Sequence, residues 1–199
     1  SFLTNGVKAA MANCMQQYQD NKQLFDWKGL LNLRLMFAHQ HMYPDFVRGV
    51  LTDGGFEALR HSAIQVMVSV THPAMWLGLR GSLWAGTLAY LIDKKIAHSI
   101  HPKIPKLFGL KQAFYSLNQC RSAEEARQLL TASAAAAPFM SARKMYQQWM
   151  LDGGYTDNAP IPPHNQEDAS KTLVLLTRHY PKLPQQFNFQ GRYYWQPSR

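Results

Sequence analysis

The stretch Trp149-Met150-Leu151-Asp152-Gly153-Gly154-Tyr155-Thr156-Asp157-Asn158-Ala159-Pro160-Ile161-Pro162 limits the possible folds of this chain more than any other. Three apolar residues run into an aspartate. Two glycines and a polar turn follow, and prolines close the segment. Apolar residues shut off by turn formers predict a short strand that stops abruptly. Its last residue, Asp152, then stands at the carboxyl end of a strand, where open α/β sheets present their ligands. Gly153 and Gly154 have no Cβ, so the backbone there can approach a neighbouring group closely.

Length and composition set the frame. The chain has 199 residues, enough for a buried core, and 46% of them are hydrophobic, which predicts a single domain over residues 1–199. The formal net charge is +9, so the surface attracts anionic partners: phospholipid headgroups, nucleic acid or acidic proteins. The basic residues are scattered, with no run longer than a pair such as Lys94-Lys95. No zinc-finger spacing or RNA-recognition signature accompanies them, which argues against nucleic acid. Two cysteines, Cys14 and Cys120, make no disulfide framework. The start, Ser1-Phe2-Leu3-Thr4, has neither an initiator methionine nor a secretory pattern. A processed chain, or one cut from a longer protein, is expected, in the cytoplasm or at a membrane surface.

Along the chain, Val7, Met11, Met15 and Tyr18 recur at helical spacing. A second helix is expected from Leu24 to about Tyr43, stopped by Pro44. Asp53-Gly54-Gly55 reads as a turn or helix entry before a short helix at Phe56–His61. Ile64, Val66, Val68 and Val70 alternate with Gln65, Met67 and Ser69, which predicts a strand closed by Thr71-His72-Pro73. A helix is expected over residues 82–96, a loop from His98 to Pro105, and a short helix at Leu110–Gln119. Ser122-Ala123-Glu124-Glu125 is a capping box. It opens a helix expected to run to Ala137, with Ala126, Leu130, Ala134 and Ala137 on its packing face. Thr172 to Thr177 reads as a fully buried strand. The aromatic tail after Pro181 has no evident period. The count is about three strands and six helices, an α/β pattern with few strands.

Asp-Gly-Gly-Tyr-x-x-Asn-x-Pro at the end of a strand resembles the aspartate motif of the patatin-like phospholipases. The approach is similar too: Leu129 to Pro138 reads Leu-Leu-Thr-Ala-Ser-Ala-Ala-Ala-Ala-Pro, like that family's small-residue helix ending in proline. The resemblance covers roughly residues 123–178. It implies an α/β fold with a mainly parallel sheet flanked by helices, incomplete on its amino-terminal side. It also implies acyl-ester hydrolysis by a Ser-Asp dyad without a cofactor or metal. Asp152 would be the general base, with Gly153, Gly154 and Asn158 supporting the motif. No G-x-S-x-G occurs in these residues, and the family's glycine-rich oxyanion loop is missing. Ser82 follows Gly81, but its next glycine, Gly86, comes four residues on, which is the wrong spacing. The chain therefore reads as the carboxyl-terminal portion of a patatin-like domain. Its partners would be the missing amino-terminal segment, a phospholipid or other acyl-ester substrate, and an anionic membrane surface. The nucleophile elbow is expected within about ten residues upstream of Ser1, feeding the first helix.

Other constellations are weaker. Asp53-Gly54-Gly55 lacks the Asn-x-Pro continuation. His39-x-His41 and His98-x-x-His101 lack companions at metal-ligand spacing and read as surface or partly buried histidines. Asn158 is expected to hold the motif's turn by side-chain to backbone bonds. Pro73 to Ile92 is rich in large apolar residues and carries one charge, Arg80. It reads either as a buried helix with its entry loop or as a lid or interfacial element carrying Trp76 and Trp84. Two further function classes stay open: a catalytically inactive patatin-like binding module, and an unrelated basic α/β interaction domain in which Asp152-Gly153-Gly154 is only a turn.

Overall fold

A computed structural model describes residues 8, 11–12, 15–16, 39–93, 99–137, 139–163 and 169–198. Lys8, Met11, Ala12, Met15 and Gln16 are helical; of the residues whose spacing predicts this helix, Met11 and Met15 are among them. The rest of the first expected helix, the second helix up to residue 38, Cys14 and His98 lie outside the described residues. The described chain forms two compact units. One holds Ser1–His72 with Ala113–Asp152, and the other holds Pro73–Gln112 with Gly153–Arg199.

The first unit contains helices α1 (His39–Val50) and α2 (Asp53–Arg60) and strand β1 (Met67–His72). Pro44 lies inside α1 rather than ending a helix before it. A proline there removes one backbone donor. The helix continues because Met42 and Val47 are buried and α1 packs on the later helix α5 (Ala123–Ser133). Thr52 caps α2, its hydroxyl accepting from the Gly55 N–H at 3.1 Å, so Asp53-Gly54-Gly55 is a helix entry. Strand β1 starts later than the alternation predicts, at Met67, and buries Val68 and Val70.

Lys111–Ser116 is a strand, β2, followed by a 3-10 turn over Leu117–Gln119, not the expected helix. Phe114 and Tyr115 favour the pleated surface, and β2 lies beside β1 in the sheet. The capping box opens α5: Ser122 Oγ accepts from the Glu125 N–H at 3.2 Å, and the Glu125 carboxylate reaches back to the Arg121 N–H. This helix ends at Ser133, four residues before Ala137. Near its end Thr131 donates to the Arg127 carbonyl and Ser133 to the Leu130 carbonyl. Such bonds compete with continued winding. The buried face is Ala123, Ala126, Leu129 and Ala132, shifted from the one expected.

Strands β3 (Arg143–Met145) and β4 (Gln148–Asp152) complete a four-stranded sheet in the order β2-β1-β4-β3. Its recorded registers, β1 with β4 and β3 with β4, are antiparallel. The expectation of a mainly parallel sheet is corrected here. A two-residue turn, Tyr146-Gln147 with φ of 49° and 61°, joins β3 to β4, and so short a link permits only antiparallel pairing. Helix α5 packs on β1 and β4, and Phe56, Val70, Leu129 and Met150 fill the core between them.

The second unit holds helix α3 (Gly78–Ile92), the one-turn helix α4 (Ile104–Leu107) and a three-stranded sheet. Its strands are β5 (Leu173–Leu175), β6 (Gln186–Phe189) and β7 (Arg192–Trp195). Strand β5 runs parallel to β7, and β6 antiparallel to it. The expected buried strand is buried on one face only: Val174 is inside and Leu173 and Leu175 are exposed. An edge strand of a small sheet has no second layer to cover it. The aromatic tail is a hairpin, turning at Gln190-Gly191, both with positive φ. Val174, Tyr180 and Tyr194 lie in this unit's own small core.

Candidate functional site

Asp152 is the last residue of β4 and is half-buried. Opposite it in register stands Val70 of β1, fully buried. The Asp152 N–H donates to the Ala135 carbonyl at 3.0 Å, so the segment just after α5 fixes the end of the strand. Met150 and Leu151 before it have no exposed surface. The strand therefore delivers the carboxylate from a rigid, apolar base. Tyr43 of α1 feels that carboxylate. Burial first, and the negative charge of Asp152 second, raise its phenol above the ordinary tyrosine value.

Immediately after Asp152 the chain tightens into a 3-10 turn over Gly153–Tyr155. The Gly153 carbonyl accepts from the N–H groups of Thr156 and Asp157, both at 3.1 Å, and from the Thr156 hydroxyl at 3.0 Å. One carbonyl so gathers the whole turn. Asp157 then closes a local turn, its Oδ1 accepting from the Ala159 N–H at 2.9 Å. Asn158 stands half-buried between them.

Asp157 has a second partner that the sequence did not advertise. His101 Nδ1 lies 2.7 Å from Asp157 Oδ2, and its Nε2 lies 2.7 Å from the Tyr194 hydroxyl. A carboxylate only accepts, so Nδ1 donates, and in the neutral ring Nε2 accepts from tyrosine. The relay pins the loop after the motif to β7. Its members are 56 and 93 residues from His101 in sequence, which no local pattern could reveal.

The other sequence candidates fall elsewhere. Asp53 accepts from Arg127 Nη2 at 2.6 Å, while Arg127 Nε holds the Leu51 carbonyl at 2.8 Å. It anchors the start of α2. Ser82 is fully buried and its Oγ accepts from the Ala74 N–H at 2.9 Å, a structural bond and not an exposed nucleophile. Cys120 is buried in the core, and burial with the nearby Glu125 charge pushes its thiol up to about 11. Among the described residues no three His, Cys, Asp or Glu side chains gather as a metal site. A cavity of about 440 Å³ lies along α1, α5 and β3, lined by Arg48, Arg127, Arg143, Lys144 and Glu124 among others. Asp152 is not in its wall.

The half-buried aspartate, its two glycines and the turn that follows lie within the reach of a family model. The model described as Patatin-like phospholipase matches residues 4–163. The chain belongs to the patatin-like phospholipase family. No curated protein and no solved structure matches it. The match reaches much further towards the amino terminus than residue 123, so α1, α2, β1 and α3 are family elements too. It ends at residue 163, which leaves the three-stranded sheet's strands outside it. Patatin-like phospholipase membership makes lipid acyl hydrolysis the class of activity to be considered.

Proposed function

We propose that this chain supplies the general base of a lipid acyl hydrolase that works by a Ser-Asp dyad, with Asp152 as the proton acceptor. The observation that carries the reading is the position of Asp152: it closes β4 immediately before Gly153-Gly154, inside the segment matched by the family. A nucleophilic serine, carried by a G-x-S-x-G segment outside these residues, would attack the ester carbonyl. Its hydroxyl proton passes to Asp152, within about 3 Å or through one water. The oxyanion is held by backbone amides of an upstream glycine loop. The ester C–O bond breaks and Asp152 returns the proton to the departing alcohol. Water then repeats the sequence on the acyl-enzyme. The Gly153 carbonyl keeps the turn after Asp152 closed. Tyr43 flanks the carboxylate.

The reaction needs no cofactor. In the complete protein Asp152→Asn keeps the shape of the side chain and loses the base. Hydrolysis of a chromogenic ester should fall by about 10³-fold or more, with an unchanged melting temperature. A folded variant that still turns over would remove Asp152 from this role. A second reading, a patatin-like module that binds without catalysis, is favoured by the apolar outward face of α3. It expects the complete wild-type protein to be inactive as well.

A further inference from the structure

Helix α3 is built inside out. Its buried positions are Ser82, Gly86 and Ala89, all small, with buried Asp93 continuing the same face. Asp93 is held there by Arg178, 3.2 Å away. The outward positions, Arg80, Trp84, Leu88 and Leu91, follow at intervals of four, four and three, which places them on one stripe. Trp84 is 78% exposed, and Leu88 and Leu91 are also exposed. The usual surface helix puts its large apolar side chains inward. Here they are the ones left outside.

Two more large apolar residues are exposed in the segment just before the helix. Met75 is 98% exposed and Trp76 71%. Trp76 lies over Gly109, where an added Cβ would come within 2.9 Å of the indole nitrogen. Helix α4 packs against α3 and offers Leu107, 82% exposed, beside exposed Lys103 and Lys106. Exposed apolar groups that cluster like this mark an interaction site.

Charge decides what the partner is. In the unit that holds α3, the described acidic residues are Asp93 and Asp157. Both are buried, one paired with Arg178 and the other with His101. The exposed charges described there are Arg80, Lys103, Lys106, Lys111, Lys171 and Lys182, all positive. A face bordered by positive charge alone fits a partner whose surface is negative throughout, as that of an anionic bilayer is. Exposed tryptophans suit the headgroup level, and lysine and arginine stems can lie along apolar surface while their charges reach phosphate. Among the described residues no helix is long and apolar enough to cross a membrane, so α3 would lie in the interface plane.

We infer that Trp76, Trp84, Leu88, Leu91 and Leu107, flanked by Arg80, Lys103 and Lys106, form a docking face for an anionic lipid bilayer. The inference does not rest on Asp152, because docking is read without turnover. The test is sedimentation of the intact protein with vesicles of phosphatidylcholine alone, or mixed with phosphatidylglycerol. Binding is expected to the mixed vesicles and to weaken as salt rises. The double variant Trp76→Ser/Trp84→Ser should lose affinity about tenfold or more. Lys103→Glu/Lys106→Glu should lose much of the preference for phosphatidylglycerol. If the serine variant is misfolded, Trp76→Phe and Trp84→Phe serve instead. Brominated lipid should quench wild-type tryptophan fluorescence, and less so in each of these variants. The idea is overturned if the intact protein does not bind vesicles, or if the serine variant folds and binds as well as wild type. It is also overturned if the face is covered by a second copy, seen as a dimer that Trp84→Ser dissociates.

Discussion

His101 sits between two buried groups that both depend on it. Asp157 is 8% exposed and Tyr194 is 1% exposed. Removing the ring by His101→Ala leaves the carboxylate without one of its partners and the phenol without an acceptor. Stranded buried polar groups are expensive, so the expected loss is about 2–3 kcal/mol. Tyr194→Phe removes only the hydroxyl and should cost about 1 kcal/mol. Urea unfolding of both variants checks the order. A His101→Ala cost no larger than that of Tyr194→Phe would mean that Asp157 does not need the histidine. The comparison also separates tethering from catalysis: His101 acts on the loop after Asp152, so its loss should appear in stability before it appears in the chemical step.

Helix α3 meets the motif turn through one glycine. A Cβ on Gly86 would lie 2.6 Å from Tyr155 Cδ1, with two more ring atoms within 3.3 Å. Tyr155 is the third residue of the 3-10 turn that follows Asp152 and is buried. Gly86→Ala therefore has to push the ring, and overpacking of this kind costs about 1–3 kcal/mol. Gly54 in α2 is the contrast. Nothing lies within 4 Å of a Cβ built there, and alanine is the better helix former by about 1 kcal/mol. Gly54→Ala should raise the melting temperature and Gly86→Ala should lower it. Equal responses would show that Tyr155 moves aside freely.

For the molecule as a whole, ionisation sets an alkaline limit. The Cys120 thiol goes from 9.0 to about 11, mainly through burial. Partial desolvation and its hydrogen bond to Glu125 raise the Tyr146 phenol from 10.0 to about 12, but Tyr146 is 49% exposed, so solvent screens this effect and Cys120 carries most of the limit. Both groups hold their protons more tightly when folded. Their contribution is fully present below pH 9 and is lost as pH rises through the folded values, because the unfolded chain ionises first. Stability should fall between about pH 9 and pH 12. Cys120→Ser should flatten the lower part of that limb. A native thiol held near 11 should also resist alkylation at neutral pH until the protein is unfolded, since the thiolate is the reactive form. Rapid native labelling of Cys120 would contradict the burial that raises it.

The sequence by itself determined the elements whose signals are local. The Ser122 cap, the alternation into Val70, and the strand that stops at Asp152 all depend on neighbours within a few residues. The motif Asp152 to Pro160 carried the family, because strand end, glycines and turn sit side by side in the chain. Only the tertiary structure decided the direction of the sheet, since the two-residue turn at Tyr146-Gln147 contains neither glycine nor asparagine and gives no hairpin signal. It decided that Pro44 stays inside a helix, because packing on α5 outweighs a lost donor. It joined His101 to Asp157 and Tyr194 across long stretches of chain. It also turned Trp84, Leu88 and Leu91 outward. Periodicity shows that these residues share a face, but what covers that face depends on everything folded around it.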